Sequence, residues 1–184
     1  MSALLAAQVA VLIEAILLVS ALGSQFLKWL VPLFLPVAIV AFALIGLMWR
    51  RQAHPAPESK TELKAIDYFG ALQMSFLITA LLVASQYLLK AFGEQSLLWA
   101  HFGLALFEVH GAFISAVQLQ LAQKVTLPWA VLLLTVSLSA SFVSKFFIVL
   151  FMGTRDFLKA LSLTFGILLI VLWGAYGFLL YTLS

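Results

Sequence analysis

The stretch "PWAVLLLTVSLSASFVSKFFIVLFM", from Pro128 to Met152, decides the fold class of this chain. It is longer than the roughly 20 apolar residues that a helix needs to cross the hydrocarbon core of a bilayer. Its one charged residue is Lys145. Because a helix satisfies its own backbone hydrogen bonds in lipid, a run of this kind predicts a membrane-spanning helix.

Five further apolar runs of similar length accompany this one. The chain of 184 residues is 65% hydrophobic and 9% charged, whereas about a quarter of the residues of a soluble domain are charged. The runs lack the short alternating pattern of a membrane β-barrel. We therefore predict an all-α integral membrane protein, one transmembrane domain over residues 1–184 with a bundle of about six helices. The predicted spans are 3–22, 29–49, 66–89, 97–121, 128–152 and 158–181.

One extended hydrophilic segment, residues 50–65, predicts the orientation in the membrane. It begins "RRQAHPAPESKTELK" and carries four of the ten Lys and Arg residues. Short loops rich in Lys and Arg stay on the cytoplasmic side of a membrane. An even number of predicted spans separates each terminus from this segment, so we expect both termini in the cytoplasm.

The order of the spans is compatible with an internal repeat. Dividing the chain after the third span gives two three-helix halves of opposite orientation. Spans one and four then correspond, and each carries a central glutamate, Glu14 and Glu108. Inverted repeats of this kind build many transporters, which bind their substrates near the midplane of the membrane.

Three charged side chains lie well inside predicted spans: Glu14, Glu108 and Lys145. A charge at the bilayer centre costs about 2.5 to 3.5 kcal/mol on insertion scales, so such groups face the bundle interior or a water-filled cavity. In a structural interpretation, one glutamate pairs with Lys145 and the other is protonated. In a functional interpretation, the three groups form a polar pathway for a cation or a proton.

Span four carries a pattern of polar residues that depends on the helix being regular. His101, Glu108 and Ser115 are seven residues apart and would share one face of a regular helix. His110 would then lie on nearly the opposite side from Glu108. A break in the helix at Gly111 would bring Glu108 and His110 closer together, and discontinuous helices form ion sites in transporters.

Span five carries a stripe of polar residues at helical spacing. Ser137, Ser141 and Lys145 follow at intervals of four, and hydroxyl side chains line contacts between membrane helices. Helix packing accounts for the serines, and Lys145 is the candidate for a further role.

The chemistry of a metal, a cofactor or an enzyme finds little support in the sequence. Glu108 and His110 fall short of the usual three or four metal ligands, although Glu14 and serine hydroxyls could add oxygens. The sequence does not say whether a metal binds or which one. The alternative to a ligand role is that His110 is a packed, hydrogen-bonded histidine. The absence of cysteine excludes disulfides and thiolate sites. No Gly-x-Ser-x-Gly turn supports a serine protease, so we expect neither an enzyme nor a bound cofactor.

The stretches Tyr87 to Gln123, Leu134 to Gly153 and Val31 to Arg51 carry a family resemblance. They resemble the bacterial and archaeal membrane domain of unknown function that is often fused behind an MgtC/SapB domain, and the similarity runs from about Ala6 to the C-terminus. The resemblance places a Gly-x-x-Asp-x-Asp-like element on Glu108 and His110, and an Asn-x-x-x-Lys element on Ser141 and Lys145. The family pattern has an acid at His110, an asparagine at Ser141 and a basic residue at Glu14, so this chain departs from it at those three positions. The resemblance implies a bacterial inner membrane and a transport or regulatory setting.

Our leading hypothesis is a protein that moves a small cation or proton through a polar site. Glu108 is its central residue, Lys145 is the charge partner of Glu108, and Glu14, His101, His110 and Ser141 contribute. The alternative is a non-catalytic subunit of a membrane protein complex, in which buried charged pairs only specify the helix register. We expect lipid, and either further copies of the chain or other membrane subunits, as partners. The formal charge of +3 is spread over helix ends, so nucleic acid is excluded.

Overall fold

The computed structural model describes residues 2–23, 26–51, 94–152 and 155–183, with the single helical positions 76, 79, 83 and 87. All regular secondary structure in these residues is helical, which confirms the prediction of an all-α membrane protein. The helices are α1 (Ser2–Leu22), α2 (Leu27–Arg51), α3 (Glu94–Ala105), α4 (Val109–Leu121), α5 (Leu127–Met152) and α6 (Arg155–Leu183). Apart from these four positions, the predicted third span, 66–89, lies outside the described residues, and so does most of the predicted cytoplasmic segment.

Four of these helices are long and apolar enough to cross a membrane. The apolar portions are Leu5–Leu22 of α1, Leu27–Leu47 of α2, Leu127–Phe151 of α5 and Phe157–Thr182 of α6. They begin and end close to four of the spans predicted from the sequence. Pro32 and Pro36 lie inside α2, and the helix continues through both.

The fourth predicted span, 97–121, is the exception, because it forms two short helices. α3 has 12 residues and α4 has 13, which gives lengths of about 18 Å and about 20 Å at 1.5 Å per residue. Neither covers a hydrocarbon core of about 30 Å alone. Placed end to end, the two helices are long enough to cross the hydrocarbon core. The break between them then lies near the middle of the membrane.

The helices of the described residues form a closed ring of contacts. α1 packs on α2, α2 on α6, α6 on α5, α5 on both short helices, and α4 returns to α1. Aromatic pairs lie inside this ring, with Phe34 of α2 6.3 Å from Phe113 of α4 and Phe142 of α5 5.1 Å from Phe165 of α6, between ring centroids. The two short helices therefore lie against the core of the bundle.

A tight turn reverses the chain between α4 and α5. Gln123 has a φ of 55°, a left-handed conformation that ends helices. The backbone N–H of Lys124 donates to the carbonyl of Leu119 at 2.9 Å, which satisfies one of the last carbonyls of α4. α5 consequently runs back beside α4 and α3, and Ser144 of α5 reaches the residues between those two helices.

Candidate functional site

The break between α3 and α4 is compact and keeps its amides bonded. The N–H of Leu106 donates to Phe102 O at 3.2 Å, and the N–H groups of Phe107 and Glu108 both donate to Leu104 O at 2.9 Å. Glu108 then leaves the helical conformation, with φ −145° and ψ 97°. The break therefore lies at residues 106–108, before the position at Gly111 that the sequence suggested.

Glu108 is the residue that starts α4. Its Oε1 accepts from the backbone N–H of His110 at 2.9 Å and of Gly111 at 3.3 Å. The first N–H groups of a helix have no partner within the helix, and a carboxylate there also interacts favourably with the helix dipole. Glu108 is 8% exposed. Both bonds are accepted by Oε1 and neither by Oε2.

Ser144 of α5 joins the break to the rest of the bundle. Its hydroxyl donates to the carbonyl of Leu106 at 2.7 Å, across 38 residues of sequence. This carbonyl lies just past the end of α3, where the last carbonyls have no partner within the helix. One hydroxyl of α5 therefore fixes the end of α3.

Lys145, next to Ser144, does not pair with Glu108. Its ammonium donates to Oε1 of Gln8 in α1 and to the hydroxyl of Ser141 at 3.0 Å. No carboxylate of the described residues lies within ion-pair distance of it. The structure therefore does not bring Lys145 and Glu108 together as charge partners; the ammonium bonds to Gln8 and Ser141 instead.

Glu14 and His110 form the contact that the sequence did not predict. Nε2 of His110 lies 3.5 Å from Oε2 of Glu14, a distance at which a protonated imidazole and a carboxylate form an ion pair. The side chain of Glu14 is 63% exposed and that of His110 is 31% exposed. The structural interpretation required one of the two glutamates to pair with Lys145. Glu14 lies beside His110 instead, and Lys145 bonds to neither glutamate.

His101 lies apart from this group. It is fully buried in α3, and its Nδ1 bonds to Leu97 O at 2.9 Å. Since a carbonyl only accepts, Nδ1 is the protonated nitrogen. The break separates His101 from Glu108, so the face that His101, Glu108 and Ser115 were expected to share on one regular helix does not exist.

The site therefore combines a broken helix with three side-chain clusters from α1, α4 and α5. Acidic groups and the C-terminal end of α3 supply negative potential, and Lys145 supplies a positive charge. Among the residues with described positions, no three His, Asp or Glu side chains come close enough to share a metal ion. The groups can bind, release or pass on a proton, and their oxygens can solvate a small cation.

The family of the chain follows from its sequence profile. The model of DUF4010, described as a domain of unknown function, matches residues 1–153. The chain belongs to the DUF4010 family. The DUF4010 match includes α1 to α5 with every member of the site, and it ends before α6. No curated protein and no solved structure matches the chain.

Sequence reasoning missed Gln8 as a site residue and did not single out Ser144. Gln8 is a polar amide in an otherwise apolar stretch of the first span, and this is the signal that could have marked it. Ser144 lies directly before Lys145, but its bond to a carbonyl depends on the break. Glu is not among the preferred residues at a helix start, so the capping rules did not mark Glu108.

Proposed function

We propose that this DUF4010 protein moves a small cation or a proton across a bacterial inner membrane, with both termini in the cytoplasm and without enzymatic activity. The observation that carries the proposal is the helix break at Glu108, within a bundle of apolar helices. In transporters with discontinuous helices, unwound backbone and half-helix ends bind the coupled ion near the midplane. The transport setting, and any association with MgtC/SapB domains, belongs to this proposal.

The two oxygen atoms of the Glu108 carboxylate differ in their contacts, and this difference supports a role beyond capping α4. Oε1 holds two backbone N–H groups, which fixes the orientation of the carboxylate. Oε2 takes part in neither of these bonds, and we assign to it the role of taking a proton or contacting a cation. The side chains of Glu14 and His110 are more exposed than that of Glu108, and His110 lies next to Glu108 through its backbone N–H, so the pair lies on the side from which we propose that a proton or cation approaches.

The test is flux in proteoliposomes that contain the purified chain, with an entrapped pH indicator and a panel of monovalent and divalent cations. We expect the Glu108→Gln variant to lose flux by about tenfold or more, which corresponds to about 1.4 kcal/mol of lost stabilisation. Its amide oxygen still accepts from the backbone, so the fold should persist. Glu62→Gln makes the same change in the hydrophilic segment and should leave flux unchanged.

Two results would overturn the transport proposal. One is a wild-type chain that moves no proton and no cation faster than empty liposomes. The other is a folded Glu108→Gln variant that conducts as fast as the wild type.

A second proposal is a non-catalytic subunit of a membrane complex, and the capping bonds of Glu108 favour it, because they give the glutamate a structural use that needs no transported ion. In this case the chain should co-purify from native membranes at fixed stoichiometry with other chains. A stable, isolated oligomer of the chain alone would count against it.

A further inference from the structure

Lys145 brings a positive charge into the bundle without a negative partner in the described residues. Its two acceptors, Gln8 Oε1 and Ser141 Oγ, are both neutral. Burying an ammonium is costly unless it is paired with an opposite charge. An ammonium has three N–H donors, and two of them are used here, so one donor remains for a further ligand.

The orientation of the Gln8 amide follows from the same contact. An ammonium has donors and no acceptor, so the amide must present Oε1 to Lys145, and Nε2, on the same carbon atom, makes no hydrogen bond to the ammonium. Gln8 is fully buried, and within the described residues its Nε2 has no hydrogen-bond partner. A buried amide donor without a partner costs free energy comparable to a lost hydrogen bond. The structure thus contains a fixed donor that requires an acceptor.

Taken together, Lys145 and Gln8 offer only donors to a third group. The ammonium contributes its third N–H and a positive charge, and the amide contributes the two N–H bonds of Nε2. A bare metal cation would be repelled by this set. A small anion accepts such hydrogen bonds and neutralises the ammonium.

We propose that Lys145 and Gln8 bind one small monovalent anion of the halide class where α1 and α5 meet. The anion would lie in another part of the same candidate site as Glu108, and its binding does not depend on transport. The anion would be the counter-ion of Lys145, a part that neither glutamate plays in this structure.

The test is chloride binding, measured from the line width of the chloride-35 NMR signal with the purified chain in chloride-free nanodiscs. We expect excess broadening that saturates with chloride and is displaced by bromide, with gluconate keeping the ionic strength constant. The decisive variant is Gln8→Glu, which keeps an acceptor for Lys145 and replaces the Nε2 donor by a carboxylate oxygen. We expect its chloride affinity to fall by about tenfold or more, since a hydrogen bond to a charged group is lost and a negative charge is gained.

The control for Gln8→Glu is Gln123→Glu, the same change at an exposed position of the turn before α5, which should bind chloride like the wild type. Lys145→Gln, which removes the charge and keeps a hydrogen-bonding side chain, is a second test if Gln8→Glu does not fold. A wild-type chain without saturable broadening would overturn the proposal, as would either folded variant that binds chloride as tightly as the wild type. Loss of cation flux alone would not affect it.

Discussion

At the scale of a single residue, Glu108 has one observed task, capping α4, and one proposed task, binding a proton or cation, and the two use different atoms. Oε1 starts α4 by accepting from the N–H groups of His110 and Gly111, and Oε2 is the atom that we propose for contact with a proton or cation. The sequence identified Glu108, because a carboxylate in a membrane span is costly and therefore conspicuous. It could not identify the partner of Lys145, because spacing along a helix does not say which side chain of another helix lies nearest.

The capping task can be tested separately from transport. We expect Glu108→Ala to lower the free energy of unfolding by about 1 kcal/mol, since two amides at the start of α4 lose their acceptor. Glu108→Asp keeps a carboxylate of a type favoured at helix starts, so it should lose much less. Reversible unfolding in mixed micelles, followed by tryptophan fluorescence, measures both. Equal losses in the two variants would show that the cap does not stabilise α4.

At the scale of helices, the fourth span differs from the others because its backbone is interrupted within the bundle. The apolar pattern of "LFEVHGAF" continues through the break, and hydropathy alone therefore predicted one helix. At the end of α3, the carbonyl of Leu106 accepts a hydrogen bond from Ser144 of a distant helix. Contacts of this range are not encoded in local sequence, whereas the four long helices follow from their own apolar runs.

The contact of Ser144 should stabilise the end of α3. Ser144→Ala leaves the carbonyl of Leu106 without its donor, at a cost of about 1 kcal/mol. We expect the amides of Leu106 and Phe107 to exchange with deuterium about fivefold faster, the factor that corresponds to this energy. Ser162→Ala removes a hydroxyl that bonds within its own helix on an exposed face, and it should leave this exchange unchanged. Unchanged exchange in Ser144→Ala would exclude the stabilising role.

At the scale of the whole molecule, the described helices close into a ring around a shared core. α6 lies outside the residues matched by the family model, yet it completes the ring between α2 and α5. The sequence predicted the helical class and the positions of the long helices. It did not predict the ring, because the order of contacts depends on which helix faces are complementary.

The topology of the broken span can be measured, since the chain has no cysteine and labelling therefore has no background. Gln95 lies near the start of α3 and Gln123 just beyond α4, and both are exposed. We expect single cysteines at these positions to react with a membrane-impermeant maleimide from opposite sides, Gln123→Cys from the cytoplasm. Reaction of both from one side would mean that α3 and α4 enter and leave the membrane on the same side.

Ser144 and Lys145 are neighbours on α5, and their side chains hold different parts of the bundle. Consecutive residues point in directions about 100° apart around a helix, so one reaches the end of α3 and the other reaches Gln8 of α1. Rotation of α5 about its own axis would therefore strain both contacts at once. The interrupted span and the first helix are mechanically coupled through two adjacent side chains, and neither can be released by such a rotation without disturbing the other.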